Sequence, residues 1–169
     1  SIGFSDSSKN LIVNNGTLTI TGDGTFDATE ATSYKGFINN YGTLTVENGT
    51  FQIADKAMTV HLRNQDGGKA VINGGTFSGG ATIVRSFEGS NTTITGGSFT
   101  NSVYPAVDVN GETLITGGIF TNTSCSRCDS QNWGYTVRSG VDNDPDAKLT
   151  ITPSSEGSVV VTGTQGALS

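Results

Sequence analysis

Short β-rich runs, alternating apolar and polar in their clearest copies, recur along the chain: Leu18-Thr19-Ile20, Leu44-Thr45-Val46, Ala70-Val71-Ile72, Thr92-Thr93-Ile94, Thr113-Leu114-Ile115 and Leu149-Thr150-Ile151. The first five are each followed by a glycine-rich corner and a phenylalanine: GDGTF ending at Phe26, NGTF at Phe51, GGTF at Phe77, GGSF at Phe99 and GGIF at Phe120. These phenylalanines are 25, 26, 22 and 21 residues apart, the period of one coil of a solenoid. A further extended piece precedes each alternating run, at 11–14, 36–39, 58–63, 81–85, 106–109 and 135–138, and a sixth copy of the short third piece falls at 158–161. Three strands of three to five residues per repeat, joined by Gly and Asn corners and without a helical period, predict an all-β fold. The expected architecture is a right-handed, single-stranded parallel β-helix of about six coils, with 21 to 26 residues per coil and one longer loop. The hand follows from the usual twist of parallel crossovers.

Alternation then places side chains. Leu18 and Ile20, Leu44 and Val46, Ala70 and Ile72, and Leu149 and Ile151 are expected to point inward, and the five phenylalanines to stack in one internal column at the rung spacing of about 4.8 Å. One outward column reads Thr17, Thr43, Lys69, Asn91, Glu112, Lys148, and the next reads Thr21, Glu47, Asn73, Thr95, Thr116, Thr152. Asn15, Asn40 and Asn64 follow the first strand of three coils, where side-chain amides would bond to the next coil as a structural ladder. Two stretches break the period, 27–35 and 121–134, and departures from a regular scaffold are where binding residues concentrate.

Composition fits a solenoid better than a compact globule. Only 33% of the 169 residues are apolar and 24 are glycine, enough for a narrow central column with many corners. With 15 acidic and 9 basic residues the net charge is −6, so the basic footprint of a nucleic-acid partner is missing. No apolar stretch approaches the ~18 residues of a bilayer span. No cofactor is implied by any motif.

Cys125 and Cys128 form a CxxC, but there is no second CxxC, His61 is the only histidine, and no βαβ context for a redox motif is present. A local disulfide between them, stiffening the 121–134 loop with Trp133 packed back on the coil body, is the expected arrangement; free thiols are the alternative. Asp142, Asp144 and Asp146 alternate as in a calcium loop, yet Ala147 stands where the EF-hand has Gly and Pro153 where it has Glu. A solvated acidic turn competes with a calcium site there. No pair of carboxylates falls together in the outward columns as glycoside cleavage requires. Asn14, Asn39, Arg63, Arg85, Asp108 and Arg138 are expected along a third outward stripe. Arg63, Arg85, Asp108 and Arg138, with Trp133 of the 121–134 loop, are the candidate ligand-binding residues; the arginines suit carboxylates or acidic glycans, and an Arg85-Asp108-Arg138 ladder on a solvated face is the competing reading.

The units YGTLTVENGTF, KAVINGGTFSGG, NTTITGGSFTN and AVDVNGETLITGGIFTN resemble the repeats of pectin-lyase-like β-solenoids in large cell-surface proteins of Gram-positive gut bacteria. The resemblance spans about residues 10 to 163 and implies an extracellular, adhesin-like module that presents loops and polar faces to a glycan or host protein. A carbohydrate-active β-helix enzyme and a structural segment of a phage or surface fibre are the alternatives. Residues 1–169 read as one domain within a longer protein, expected to continue its core through further coils or to self-associate through the solenoid ends.

Overall fold

The computed structural model describes residues 2–3, 10–30, 36–55, 59–101, 103–122, 137–139, 148–153 and 158–162. All its described strands belong to three parallel sheets. The first sheet stacks Ile12–Asn14, Gly36–Asn40, Val60–Asn64, Thr82–Ser86, Val107–Val109 and Val137–Ser139. The second stacks Thr17–Ile20, Thr43–Val46, Lys69–Ile72, Asn91–Ile94, Glu112–Ile115 and Lys148–Ile151. The third stacks Ile2–Gly3, Thr25–Ala28, Thr50–Ile53, Thr76–Ser78, Ser98–Asn101, Gly118–Asn122 and Val159–Thr162. The chain visits the three sheets in turn and climbs one rung per circuit, which is the parallel β-solenoid the repeat predicts.

The core is built from the alternating positions. Leu44, Val46, Ala70, Ile72, Ile94 and Ile115 are buried along the second sheet. Phe26, Phe51, Phe77, Phe99 and Phe120 form one stack with ring centroids 4.8, 4.5, 5.1 and 4.8 Å apart and planes within 6° of parallel. The glycine pairs before Phe77, Phe99 and Phe120 are explained by this stack and by the coil below. Gly75, Gly97 and Gly118 have φ of 101°, 103° and 116°, and a Cβ on any of them would press on the phenylalanine ring two residues ahead. Their predecessors Gly74, Gly96 and Gly117 lie directly on the carbonyl oxygens of Glu47, Asn73 and Thr95 in the coil below.

Asparagine side chains inside the coil form a ladder that departs from the expected one by a single residue. Asn14, not Asn15, pairs with Asn40 in the strand register, and its Nδ2 donates to Asn40 Oδ1 at 2.7 Å. Asn40 Nδ2 donates in turn to Asn64 Oδ1 at 2.8 Å, and Asn64 Nδ2 to Thr92 Oγ1 at 2.9 Å. The same amides reach the carbonyls of Thr43, Lys69 and Asn91, tying the end of the first sheet to the start of the second. The two irregular stretches also start later than the sequence suggests. Asp27 and Ala28 complete the strand Thr25–Ala28, and Thr121 and Asn122 complete Gly118–Asn122. Asn122 Nδ2 is anchored to the Tyr104 carbonyl at 2.9 Å. The expected Cys125-Cys128 bond, Trp133 and the Asp142, Asp144, Asp146 run lie outside the described residues.

His61 sits inside the coil between the corresponding residues of adjacent rungs, stacked on Phe37 at 6.3 Å and edge-on to Phe77 at 5.9 Å. Its Nε2 contacts the carbonyls of Ser78 and Gly79 at 3.0 and 3.2 Å, which requires the proton on Nε2, while Nδ1 is buried without a partner. Burial drives its pKa from 6.5 to about 4, against the raising effect of the two carbonyls. A histidine whose folded pKa is depressed is neutral in the fold and charges in the unfolded chain first. Its contribution is therefore intact above pH 6.5, is lost as pH falls from there to about 4, and amounts to roughly 3 kcal/mol in all. Urea melts at pH 7, 5.5 and 4 are expected to show this decline in the parent and its loss in His61→Leu; parallel declines in the two proteins would remove His61 as the cause.

Candidate functional site

The outward face of the first sheet carries two columns of side chains set by strand register. Val13, Asn39, Arg63, Arg85, Asp108 and Arg138 are partners on successive rungs. Asn14 is thereby removed from the stripe the sequence suggested: neighbouring Val13 takes its outward place and Asn14 turns inward to the amide ladder. Two residues further along each coil a second column emerges at the corner. Tyr41, Gln65, Phe87 and Asn110 each donate a backbone N–H to the coil below, to the carbonyls of Asn14, Asn40, Asn64 and Ser86.

Arg63, Arg85 and Asp108 are brought together as the sequence implied. Arg85 Nε lies 3.5 Å from Asp108 Oδ2, an ion-pair distance longer than a good hydrogen bond. Asp108 is 1% exposed, so the competing picture of a solvated charge ladder does not hold at this carboxylate. Arg138 follows Asp108 in register on the next rung. The stem of Arg63 lies flat over Gly36, where a Cβ would stand 2.7 Å from Cδ and 2.8 Å from Cγ. The glycine at 36 is thus what allows this arginine to lie along the sheet.

Phe87 organises both guanidinium groups. Arg63 Cζ is 5.2 Å and Arg85 Cζ 5.1 Å from the centroid of its ring, within cation–π range. The pKa of Arg63 is lowered by burial first and by the neighbouring Arg85 charge second, with Tyr41 opposing. Amides border the pair: Gln65 Nε2 donates to Asn39 Oδ1 at 2.7 Å, and Asn39 Nδ2 to Tyr41 Oη at 3.4 Å. The corners of these two coils are longer than those of their neighbours by Asp66-Gly67 and Glu88-Gly89. They enclose an open cleft of about 570 Å³ lined by Gln65, Asp66, Phe87, Glu88 and Gly89. The face therefore offers an aromatic ring, two fixed guanidinium forks, side-chain amides and two lip carboxylates within three rungs. Tyr41, Gln65 and Phe87 were not among the residues singled out from the sequence, although each stands two positions after a stripe residue, the spacing that puts it on the same side.

Among the described residues the other outward faces lack this grouping. The second sheet presents Thr17, Thr43, Lys69, Asn91, Glu112 and Lys148 in register, as the alternation predicts. Beside them Asn73 bonds to the Glu47 carboxylate and accepts from Thr95 Oγ1 at 2.7 Å. The third sheet bears a smaller cleft of about 310 Å³ lined by Ile53, Asp55, Ser78, Gly79, Thr100 and Asn101. Among the described residues no group of three His, Cys, Asp or Glu side chains is placed to hold a metal, and no helix is long and apolar enough to cross a membrane. No protein-family model, curated protein or solved structure matches the chain.

Proposed function

We propose that this chain is a non-enzymatic, extracellular cell-surface module of adhesin type, and that it attaches to a glycan through the outward face of its first sheet. The observation that carries this reading is the grouping of Arg63, Arg85 and Phe87 with the amides of Asn39 and Gln65 on one face of a rigid solenoid. Saccharides are held by stacking on aromatic rings and by fixed planar hydrogen-bonding groups, and both are present here on adjacent rungs. Asp108, the carboxylate of the stripe, is buried against Arg85, which suits holding a guanidinium in place and not exchanging a proton with a sugar. The repeat resemblance points to the same setting.

A glycan array combined with a reducing-sugar release assay tests this. Retention of at least one glycan class with no release of reducing ends is the expected result. Release from a retained glycan would make the chain an enzyme, and neither retention nor release would make it a structural segment.

A further inference from the structure

Resting on that reading, we infer that Tyr41 is the stacking platform of the first-sheet face and receives a neutral pyranose unit of the glycan, whose hydroxyls meet the amides of Asn15, Asn39 and Gln65. Among the described residues Tyr41 is the one exposed aromatic side chain, at 47%. The ring of Phe87 is already faced by the guanidinium groups of Arg63 and Arg85, whereas no ring or guanidinium of the described residues lies over Tyr41. Strand register sets the surroundings of this ring. Asn14, Asn40, Asn64 and Ser86 are partners on successive rungs, so the residues that follow them, Asn15, Tyr41, Gln65 and Phe87, stand in one corner column. Tyr41 thus has an amide one rung below and another one rung above, each about 4.8 Å away along the axis.

The ring is held from both ends. Its backbone N–H donates to the Asn14 carbonyl at 2.8 Å, its Oη accepts from Asn39 Nδ2 at 3.4 Å, and Asn39 Oδ1 accepts in turn from Gln65 Nε2 at 2.7 Å. A ring placed before the ligand arrives loses little freedom on binding. A pyranose gathers C–H groups on a face and hydroxyls around its rim, so the face suits the tyrosine ring and the rim suits groups that both donate and accept. Beyond the bonds they make to one another, Gln65 keeps Oε1 and one N–H, and Asn39 keeps one N–H, for those hydroxyls. None of the three amides is charged, Arg63 is drawn to Phe87, and the carboxylates of Asp66 and Glu88 stand at the next two corners. A uronic acid therefore gains nothing here over its neutral counterpart.

The test titrates cellotetraose, mannotetraose, galactotetraose and tetragalacturonate of the same linkage as the galactotetraose, followed by NMR, into the parent chain and the variants Tyr41→Ser, Tyr41→Phe and Ile119→Ser. Ile119 is 49% exposed on the third sheet, so its variant removes a comparably exposed apolar side chain from another face. Circular dichroism checks that each variant folds. At least one of the three neutral tetrasaccharides is expected to bind the parent and to shift the ring protons of Tyr41, assigned by comparison with Tyr41→Phe. For that ligand Tyr41→Ser is expected to weaken binding about tenfold, Tyr41→Phe, which keeps the ring, to stay within about threefold, and Ile119→Ser within about twofold. Tetragalacturonate is expected to bind no more tightly than galactotetraose. Binding of none of the neutral tetrasaccharides, ring protons of Tyr41 unmoved by a bound one, equal affinity of Tyr41→Ser and parent, or tighter binding of tetragalacturonate than of galactotetraose would each overturn the inference. The ring-proton measurement decides the matter on the parent alone should Tyr41→Ser not fold. A glycan retained on the array equally by parent and Tyr41→Ser would overturn the platform while leaving the attachment function standing.

Discussion

Phe77→Ala is expected to lower the unfolding free energy by about 3 to 5 kcal/mol, the range for emptying a large aromatic from a packed core. Phe77 is 2% exposed, stacked on Phe51 at 4.5 Å and on Phe99 at 5.1 Å, and met edge-on by His61. Its removal opens a gap between two rings held in place by their own rungs, so collapse around the hole is limited. Because each coil contacts only its neighbours, a gap at the middle rung also weakens coupling between the two halves. The urea transition of Phe77→Ala should therefore broaden as well as move to lower denaturant. Phe26→Ala, at a half-buried ring at the end of the stack, should cost clearly less. Equal losses at the two positions would show that the rings do not stack as described.

Asn40→Asp should be as damaging, by a different route. Asn40 is fully buried, and its Nδ2 is shared among Asn64 Oδ1, the Gly42 carbonyl and the Lys69 carbonyl at 2.8, 3.0 and 3.1 Å. An aspartate keeps the shape but turns the donor into an acceptor facing three acceptors, at an expected cost of about 3 kcal/mol or more at pH 7. Asn40→Ala, which leaves the partners unmet without opposing them, should cost less at that pH. Burial would raise the new carboxyl's pKa above its unfolded value. A group raised in this way stabilises the fold at low pH and loses that contribution as pH rises through its folded pKa, so the deficit relative to the parent should shrink between pH 7 and pH 4. A deficit independent of pH would mean that the side chain escapes to solvent and that the ladder is not obligatory.

The sequence disclosed most of the architecture because the same chemistry recurs at every coil. A phenylalanine after two corner residues and a Leu-Thr-Ile run before them leave one register in which all the apolar side chains are inside. The first sheet was less legible. Asn14-Asn15 and Asn39-Asn40 place asparagines on both sides of the strand, and nothing in residue type says which amide turns in; hydrogen bonding to the next coil decides it. The outward arginines were legible because Arg63 and Arg85 have no such ambiguity. Phe87 and Tyr41 stand beyond the strand ends, in corners whose lengths differ from coil to coil, so their alignment with the arginines emerges only once the backbone bonds from Gln65 and Phe87 to the coil below are known. The buried state of Asp108 likewise depends on packing across rungs, which a column of residue types does not reveal.

The central claim is that coil-on-coil register converts sequence spacing into columns on one face. Nitroxide labels on Cys substitutions at Thr17 and Lys148, in a background with Cys125 and Cys128 replaced by Ser, test it by pulsed electron resonance. These two positions belong to one outward column five rungs apart, although 131 residues separate them in sequence. A single distance peak near about 24 Å, five steps of the rung spacing, is the predicted result. A peak beyond about 40 Å, or a broad distribution without a maximum near the predicted value, would contradict the stacked register and every surface column derived from it.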